Sequence, residues 1–261
     1  MLSALAGFVR RHDPDRFLTA LFAPPERRET LFLLYAFNHE LARAREVTSH
    51  PTLALLRLQW WREILEGAER QHEIAAPLRA ALAAGALAPD LLLEMIAARE
   101  AEAEANLPDL PSWRAYVLGA GGALAAAAGR VLGAPAALDD AFRAAGAAYM
   151  AAGLLRSVAF HARRNRCLLP ADLLAAQGLS PEAAIADPTS PAVAKVKARL
   201  AEDVRGWMKT AKQTAFPRPM HVAALPLVFA KRDLARMAVP PRPRGLPDRL
   251  AVIRAGLSGR L

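Results

Sequence analysis

The chain is short of the residues that mark several common classes of protein. It holds a single cysteine, Cys167, in 261 residues. That excludes an internal disulfide framework and a thiolate metal cluster, and it fits a reducing compartment. Aromatic residues make up 6% of the chain and β-branched runs are scarce, which argues against a sheet-rich fold. No apolar run reaches the ~18 residues needed to cross a bilayer. The richest stretch, Leu118 to Gly129, is mostly Ala and Gly and reads as a tightly packed helix. The amino-terminal apolar stretch is shorter than a signal peptide, and Arg10 and Arg11 follow it instead of preceding it. Acids are in deficit, with 25 Asp plus Glu against 34 Lys plus Arg, a net charge of +9. The excess is nearly all arginine, spread along the chain without interleaved aromatics, so nucleic acid is not favoured as a partner. An anionic partner, such as a membrane surface, and a merely solubilising basic face remain two open readings of the charge.

What is present is alanine and leucine at helical spacing, within a hydrophobic fraction of 54%. Pro24-Pro25-Glu26 opens a helix with Leu31, Leu34, Tyr35 and Leu41 on its apolar face, and His50-Pro51 breaks it. A second helix carries Leu53, Leu56, Trp60 and Ile64. Ala88 to Ala105 reads as helix. Pro111-Ser112 caps a helix to about Leu132, and Ala136 to about Phe160 forms a long one. A basic loop, Arg163 to Pro170, leads into a short helix at 171–176. Further helices follow at 192 to about 214 and 222 to about 237. Pro240 to Pro247 is rich in Pro and Arg and has no period, so residues 238–261 are expected to form an irregular basic tail on a single domain spanning 1–261. Trp60 and Trp61 are adjacent on a helix, about 100° apart, so one is expected in the core and the other near a surface.

Three segments stand in a telling order. The first is Leu34-Tyr-Ala-Phe-Asn-His-Glu-Leu-Ala-Arg-Ala-Arg-Glu46. The second runs from Tyr116 through Gly122 to Gly133. The third is Leu155-Arg-Ser-Val-Ala-Phe-His161, followed by Arg164-Asn-Arg-Cys-Leu-Leu-Pro170. Together they resemble the squalene/phytoene synthase family over roughly residues 14–235. The resemblance implies an all-α, prenyl-synthase-like (terpenoid synthase) bundle around a central cavity. In active members two helices each offer carboxylates at i and i+4, on one helix face. They hold magnesium ions that bridge a prenyl diphosphate and let its carbon–oxygen bond ionise. Here the matching positions are Ala42 and Glu46 on the first helix and Ser157 and His161 on the second, so one carboxylate remains. Two other acid pairs at i, i+4, Glu69 with Glu73 and Glu100 with Glu104, lie outside those segments and read as solvated faces.

The sequence is more similar to a branch of that family that also lacks the acid pairs. Ala-Phe-Asn-x-Glu-Leu-Ala, Arg57-Leu-Gln-Trp-Trp-Arg62, and Arg156 with Phe160-His161 carry this likeness. That branch serves the assembly of respiratory complex I, the NADH:ubiquinone oxidoreductase. It implies a pseudoenzyme with complex I subunits or assembly proteins as partners. It also implies a place in the bacterial cytoplasm on the inner membrane, or in the mitochondrial matrix of a eukaryote. Catalytic residues and a metal are expected to be absent. The alternatives are an active prenyl-diphosphate transferase, which alone would need Mg²⁺, and a carrier of lipid or isoprenoid in the old cavity. Candidate cavity or anion-binding residues are Asn38, His39, Tyr116, Arg156, Arg164 and Arg166. Arg156 sits among Leu154, Leu155 and Val158, where an unpaired cation is costly, so a structural ion pair with Glu40 or Glu46 is its leading reading. His161, Arg164 and Arg166 could cradle a phosphate without metal or could form a solvated loop. Cys167 is read as structural.

Overall fold

The computed structural model describes residues 2–46, 50–104 and 106–261. Its helices are α1 Ala4–His12, α2 Pro14–Ala20, α3 Pro25–Arg43, α4 Pro51–Leu65, α5 Ala75–Ala83, α6 Pro89–Glu100, α7 Leu110–Val117 and α8 Ala123–Val131. There follow α9 Asp139–Arg156, α10 Val158–Ala162, α11 Ala171–Ala175, α12 Pro181–Ala186, α13 Pro191–Lys212, α14 Leu227–Ala235 and α15 Leu246–Ser258. Proline stands in the first turn of α2, α3, α4, α6, α7, α12, α13 and α15. The ring fixes a helical φ there and lacks only an N–H that would be unpaired anyway. A proline-rich chain is in this way compatible with an all-helical fold.

Strand is confined, among the described residues, to one parallel pair. β1 (Asn106–Leu107) lies beside β2 (Cys167–Pro170). The expected basic loop is therefore half strand, with Cys167 buried and its thiol pKa raised by that burial. The carboxy-terminal limit expected for the helix from Ala88, Ala105, lies outside the described residues. Within them α6 ends at Glu100 and a 3₁₀ turn follows at Ala101–Ala103.

α9 is the central post of the bundle, packed against α8, α13 and α14. Its buried face is built from Ala141, Ala144, Ala145, Gly146, Ala148, Ala151 and Ala152. Small side chains let neighbouring backbones come close. At Gly146 a Cβ would lie 2.1 Å from the carbonyl oxygen of Gly121. Gly121 belongs to a π-helical turn, Leu118–Gly122, that joins α7 to α8 in one rod. α3 is buried on every side from Leu31 to Asn38, the pattern of an interior helix. α13 is amphipathic, with Val193, Val196, Leu200, Val204, Met208 and Ala211 turned inward.

α9 ends one residue before the second motif position. Ser157 leaves helical geometry at φ −100°, ψ 13°, and the chain restarts as α10. The expectation of an irregular tail is corrected. The irregular part before α15 ends at Gly245, and the helix then runs to Ser258, leaving 259–261 outside it. Gly245 N–H donates to Asp248 Oδ2 at 3.1 Å, closing the first turn of that helix. The helix packs Asp248, Val252, Ala255 and Gly256 inward.

Candidate functional site

The charged cluster where the end of α6 meets the carboxy-terminal end of α7 is organised by Glu102. This residue sits on the 3₁₀ turn after α6 and is 5% exposed. Its Oε1 accepts from Tyr116 Oη at 2.7 Å and from Arg99 Nη1 at 2.6 Å. Its Oε2 accepts from Arg166 Nη2 at 2.8 Å. Burial alone would raise the Glu102 pKa, but Arg99 and Arg166 outweigh it, and the pKa falls to about 2. Burial and the negative charge of Glu102 hold the Tyr116 phenol protonated. His161 lies at the edge of the same cluster. Burial first, then Arg166, pushes its pKa down to about 4, so the imidazole is neutral at pH 7.

Deeper in the bundle, α3, α6, the π-helical turn and α9 border a cavity of about 140 Å³. Arg16, Asn38, Arg99, Tyr149, Arg156 and Arg244 supply its polar wall. Four guanidinium groups around one hollow would suit an anion, but three of them are claimed by acids of the chain itself. Arg16 reaches Asp13 at 2.8 Å. Arg99 is held by Glu102. Arg244 clamps Asp233 through Nη1 at 2.5 Å and Nη2 at 2.8 Å, and its Nε bonds Asp15 at 3.0 Å. Pockets that hold cofactors or drug-sized ligands run to roughly 300–1,000 Å³. This cavity is smaller and its charge is largely neutralised from within.

Arg156 pairs with neither Glu40 nor Glu46, correcting that expectation. Its Nε lies 3.8 Å from Asp233 Oδ2, and Nη1 reaches the carbonyl oxygen of Arg242 at 3.4 Å. Glu40 instead meets Arg43 and Arg57, at 3.4 and 3.6 Å. The physical reason is direction: Arg156 ends α9 on the side of α14 and the 239–245 segment, not on the side of α3.

Of the other expected site residues, Asn38 lines the 140 Å³ cavity, while Tyr116 and Arg166 meet on Glu102. His39 is corrected. It faces α1, with its ring 4.5 Å from that of His12 and 5.3 Å from that of Phe8. Arg164 is corrected too. It turns outward and covers the face of exposed Phe160 at 3.7 Å, leaving Arg166 alone to point inward. Trp61 is buried, and Trp60 borders a groove of about 500 Å³ beside exposed Leu53 and Leu56. Glu102 was not singled out by the pattern of acids, which drew attention to its neighbours Glu100 and Glu104.

The four motif positions do not gather into a metal site. Glu46 is exposed in the turn after α3, and Ser157 spends its hydroxyl on the carbonyl of Gly153 at 2.8 Å. His161 borders a crevice of about 10 Å³ beside Arg166. None of the four lines the 140 Å³ cavity. Mg²⁺ demands several hard oxygen ligands at close range. Among the described residues no group of three or more His, Cys, Asp or Glu is placed to supply them. The residues do not fit the ion.

A helical bundle built on a small-residue post, with a charged cavity among its inner helices, defines the class: an all-α fold of the prenyl-synthase type. It is similar to a dehydrosqualene synthase with a TM-score of 0.79 at 11% identity, over 98% of this chain and 94% of that one. It is similar to squalene synthase HpnC from Alicyclobacillus acidocaldarius with a TM-score of 0.76 at 16% identity, over 90% and 91%. These likenesses concern the fold. The chain belongs to the squalene/phytoene synthase family, whose profile matches residues 9–254. Among curated proteins it is similar to the NADH dehydrogenase (ubiquinone) complex I assembly factor 6 of Homo sapiens, 28% identical over 183 residues. The Bos taurus protein of that name gives the same identity over the same length. Each alignment covers 67% of this chain and 54% of the relative, so the chain spans about half the length of the curated relatives it matches.

Proposed function

We propose that this chain is a non-catalytic member of its family that acts by binding, in the assembly of NADH:ubiquinone oxidoreductase, with complex I subunits or other assembly proteins as partners. The observation that carries this reading is the fate of the site. By the resemblance, Ala42, Ser157 and His161 stand where the family's metal-binding acids belong, and Glu46 is exposed. A dianionic leaving group needs charge placed at the point where it develops. The inner arginines are already spent on Asp13, Glu102, Asp15 and Asp233. The likeness to complex I assembly factor 6 supports the assembly role.

The decisive experiment has two arms. Purified protein incubated with farnesyl or geranylgeranyl diphosphate and Mg²⁺ forms no condensed prenyl product. Deletion of the gene lowers complex I activity in isolated membranes, and restoring the chain restores it. Turnover of the diphosphate establishes the active-transferase reading in its place. Normal complex I after deletion removes the assembly role.

The working place we propose is a membrane surface: the inner membrane of a bacterium from its cytoplasmic side, or the matrix side in a mitochondrion. No helix among the described residues is long and apolar enough to cross a membrane. α15 supports surface attachment. Leu246, Leu250 and Leu257 are 72, 61 and 68% exposed and share one face with Ile253. Arg249 and Arg254 flank that stripe and are exposed. The helix's one acid, Asp248, faces inward on Arg232 and Arg236. An apolar stripe edged by arginine suits an anionic lipid interface, where each cation near the surface is worth ~1 kcal/mol. The protein is therefore expected to sediment with phosphatidylglycerol vesicles at low salt and to be released as salt rises. Leu250→Glu is expected to cut binding several-fold. Equal binding by that variant removes α15 from the interface.

A further inference from the structure

A second hollow, about 420 Å³, lies between α9, α13, α14 and the proline-rich strap of residues 239–247. Unlike the inner cavity it is large enough for a ligand. Its apolar lining comes from Leu155, Leu234, Met237 and the strap prolines. Its charged lining has Arg156, Lys197, Arg236, Arg242 and Arg244 against two acids, Asp233 and Asp248.

The acids are already committed. Asp233 gives both oxygens to Arg244, and Asp248 is held by Arg232, Arg236 and the backbone N–H of Gly245. Three cations are left over. Arg156 is buried at Nε with no hydrogen bond there, its nearest carboxylate oxygen being the spoken-for Asp233 Oδ2 at 3.8 Å. Lys197 is partly buried on α13, and burial lowers its pKa with no carboxylate opposing it. Arg242 is exposed at the rim and forms no ion pair among the described residues. A half-buried lysine without a partner costs stability, as does a guanidinium with an idle buried N–H. Here they converge on one opening, beside a lining that accepts hydrocarbon.

We propose that this hollow is a metal-independent binding site for a phosphate-bearing amphiphile, with the phosphate on Arg156 and Lys197 and the apolar body against Met237 and the strap. Neither residue belongs to the acid-motif positions. The site also does not depend on the assembly role, because it rests on the lining of the hollow and its under-paired cations. A phosphate head group supplies the charge-assisted hydrogen bonds that Arg156 Nε and the Lys197 ammonium lack. The first turn of α15 borders the opening through Pro247 and Asp248, so a lipid head group from a membrane surface has a direct route in.

The test is calorimetry on the full chain in EDTA, with dihexanoyl phosphatidate and inorganic phosphate as separate probes. Saturable binding of the phosphatidate is expected, at least ~10-fold tighter than that of phosphate because only the former covers the apolar lining. Lys197→Gln is expected to weaken binding by ~10-fold, the scale of one charge-assisted hydrogen bond. It does not lower the melting temperature, because Lys197 holds no other group and its burial is unfavourable. Arg156→Gln is expected to weaken it comparably, and Lys209→Gln, exposed on the same helix, leaves it unchanged. No saturable binding of the phosphatidate overturns the proposal. So does wild-type affinity in Lys197→Gln, or phosphate binding as tightly as the phosphatidate.

Discussion

Arg244→Ala is expected to destabilise the protein by about 3–5 kcal/mol, the scale of removing one partner from a buried charge network. Arg244 ties the strap to the bundle from inside. Its guanidinium is 11% exposed, clamps Asp233 at 4% and Asp15 at 13%, and lies over the Phe229 ring at 4.6 Å. Removing it leaves two carboxylates in a poorly solvated place. Burial already raises the Asp15 pKa, with Arg244 the main opposing influence. Without the arginine, Asp15 must take up a proton or unfold its surroundings. Arg244→Lys is expected to recover only part of the loss, since a single ammonium cannot serve both oxygens of Asp233 and Asp15 together. Urea melts give the stability, and limited proteolysis across 239–243 reports release of the strap. A loss below about 1 kcal/mol, with the strap still protected, would mean that the prolines and α15 hold the segment unaided.

Arg244 also shows where reading the sequence stops. Helical periodicity identifies α3, α9 and α13 because each presents a continuous buried face, and proline and glycine mark their ends. Three spaced segments suffice for the family, since the backbone positions they need (Tyr116, the close-packed glycines, the Leu-Leu-Pro of β2) keep their order. The strap has no period, and the partner of Arg244 at Asp15 is 229 positions away, so nothing local points to it. α15 escaped notice for a different reason. It turns Ala255 and Gly256 inward and its leucines outward, the reverse of the pattern by which a core helix is recognised. Glu102 was hidden by a change of helix type. Counting by four from Glu100 reaches Glu104, but α6 ends at Glu100, and the tighter 3₁₀ turn swings the residue between them into the interior. Glu100 itself stays outside, on Arg62.

Glu102→Gln is expected to cost about 3–5 kcal/mol as well, because it leaves Arg99 and Arg166 buried with no counter-charge. The same cluster sets how the protein responds to acid, and the two titrating groups act in different windows. The Glu102 pKa is about 2 in the fold against an ordinary 4.5, so its contribution is full above pH 4.5 and is lost as pH falls towards 2. The His161 pKa is about 4 in the fold against an ordinary 6.5. The unfolded chain therefore binds this proton first. Stability drops between pH 6.5 and 4 by up to about 3 kcal/mol, before Glu102 contributes most of its own loss. His161→Gln is expected to flatten the upper limb, between pH 6.5 and 4, and to leave the lower one standing. Glu102→Gln is expected to remove the lower limb and lower stability at every pH above it. Chemical denaturation at half-unit steps from pH 7 to 3 separates the two. An unchanged slope between pH 6.5 and 4 in His161→Gln would show that the imidazole is solvated and that Arg166 does not press on it. With the slope abolished, His161 is a buried, neutral imidazole pressed by Arg166.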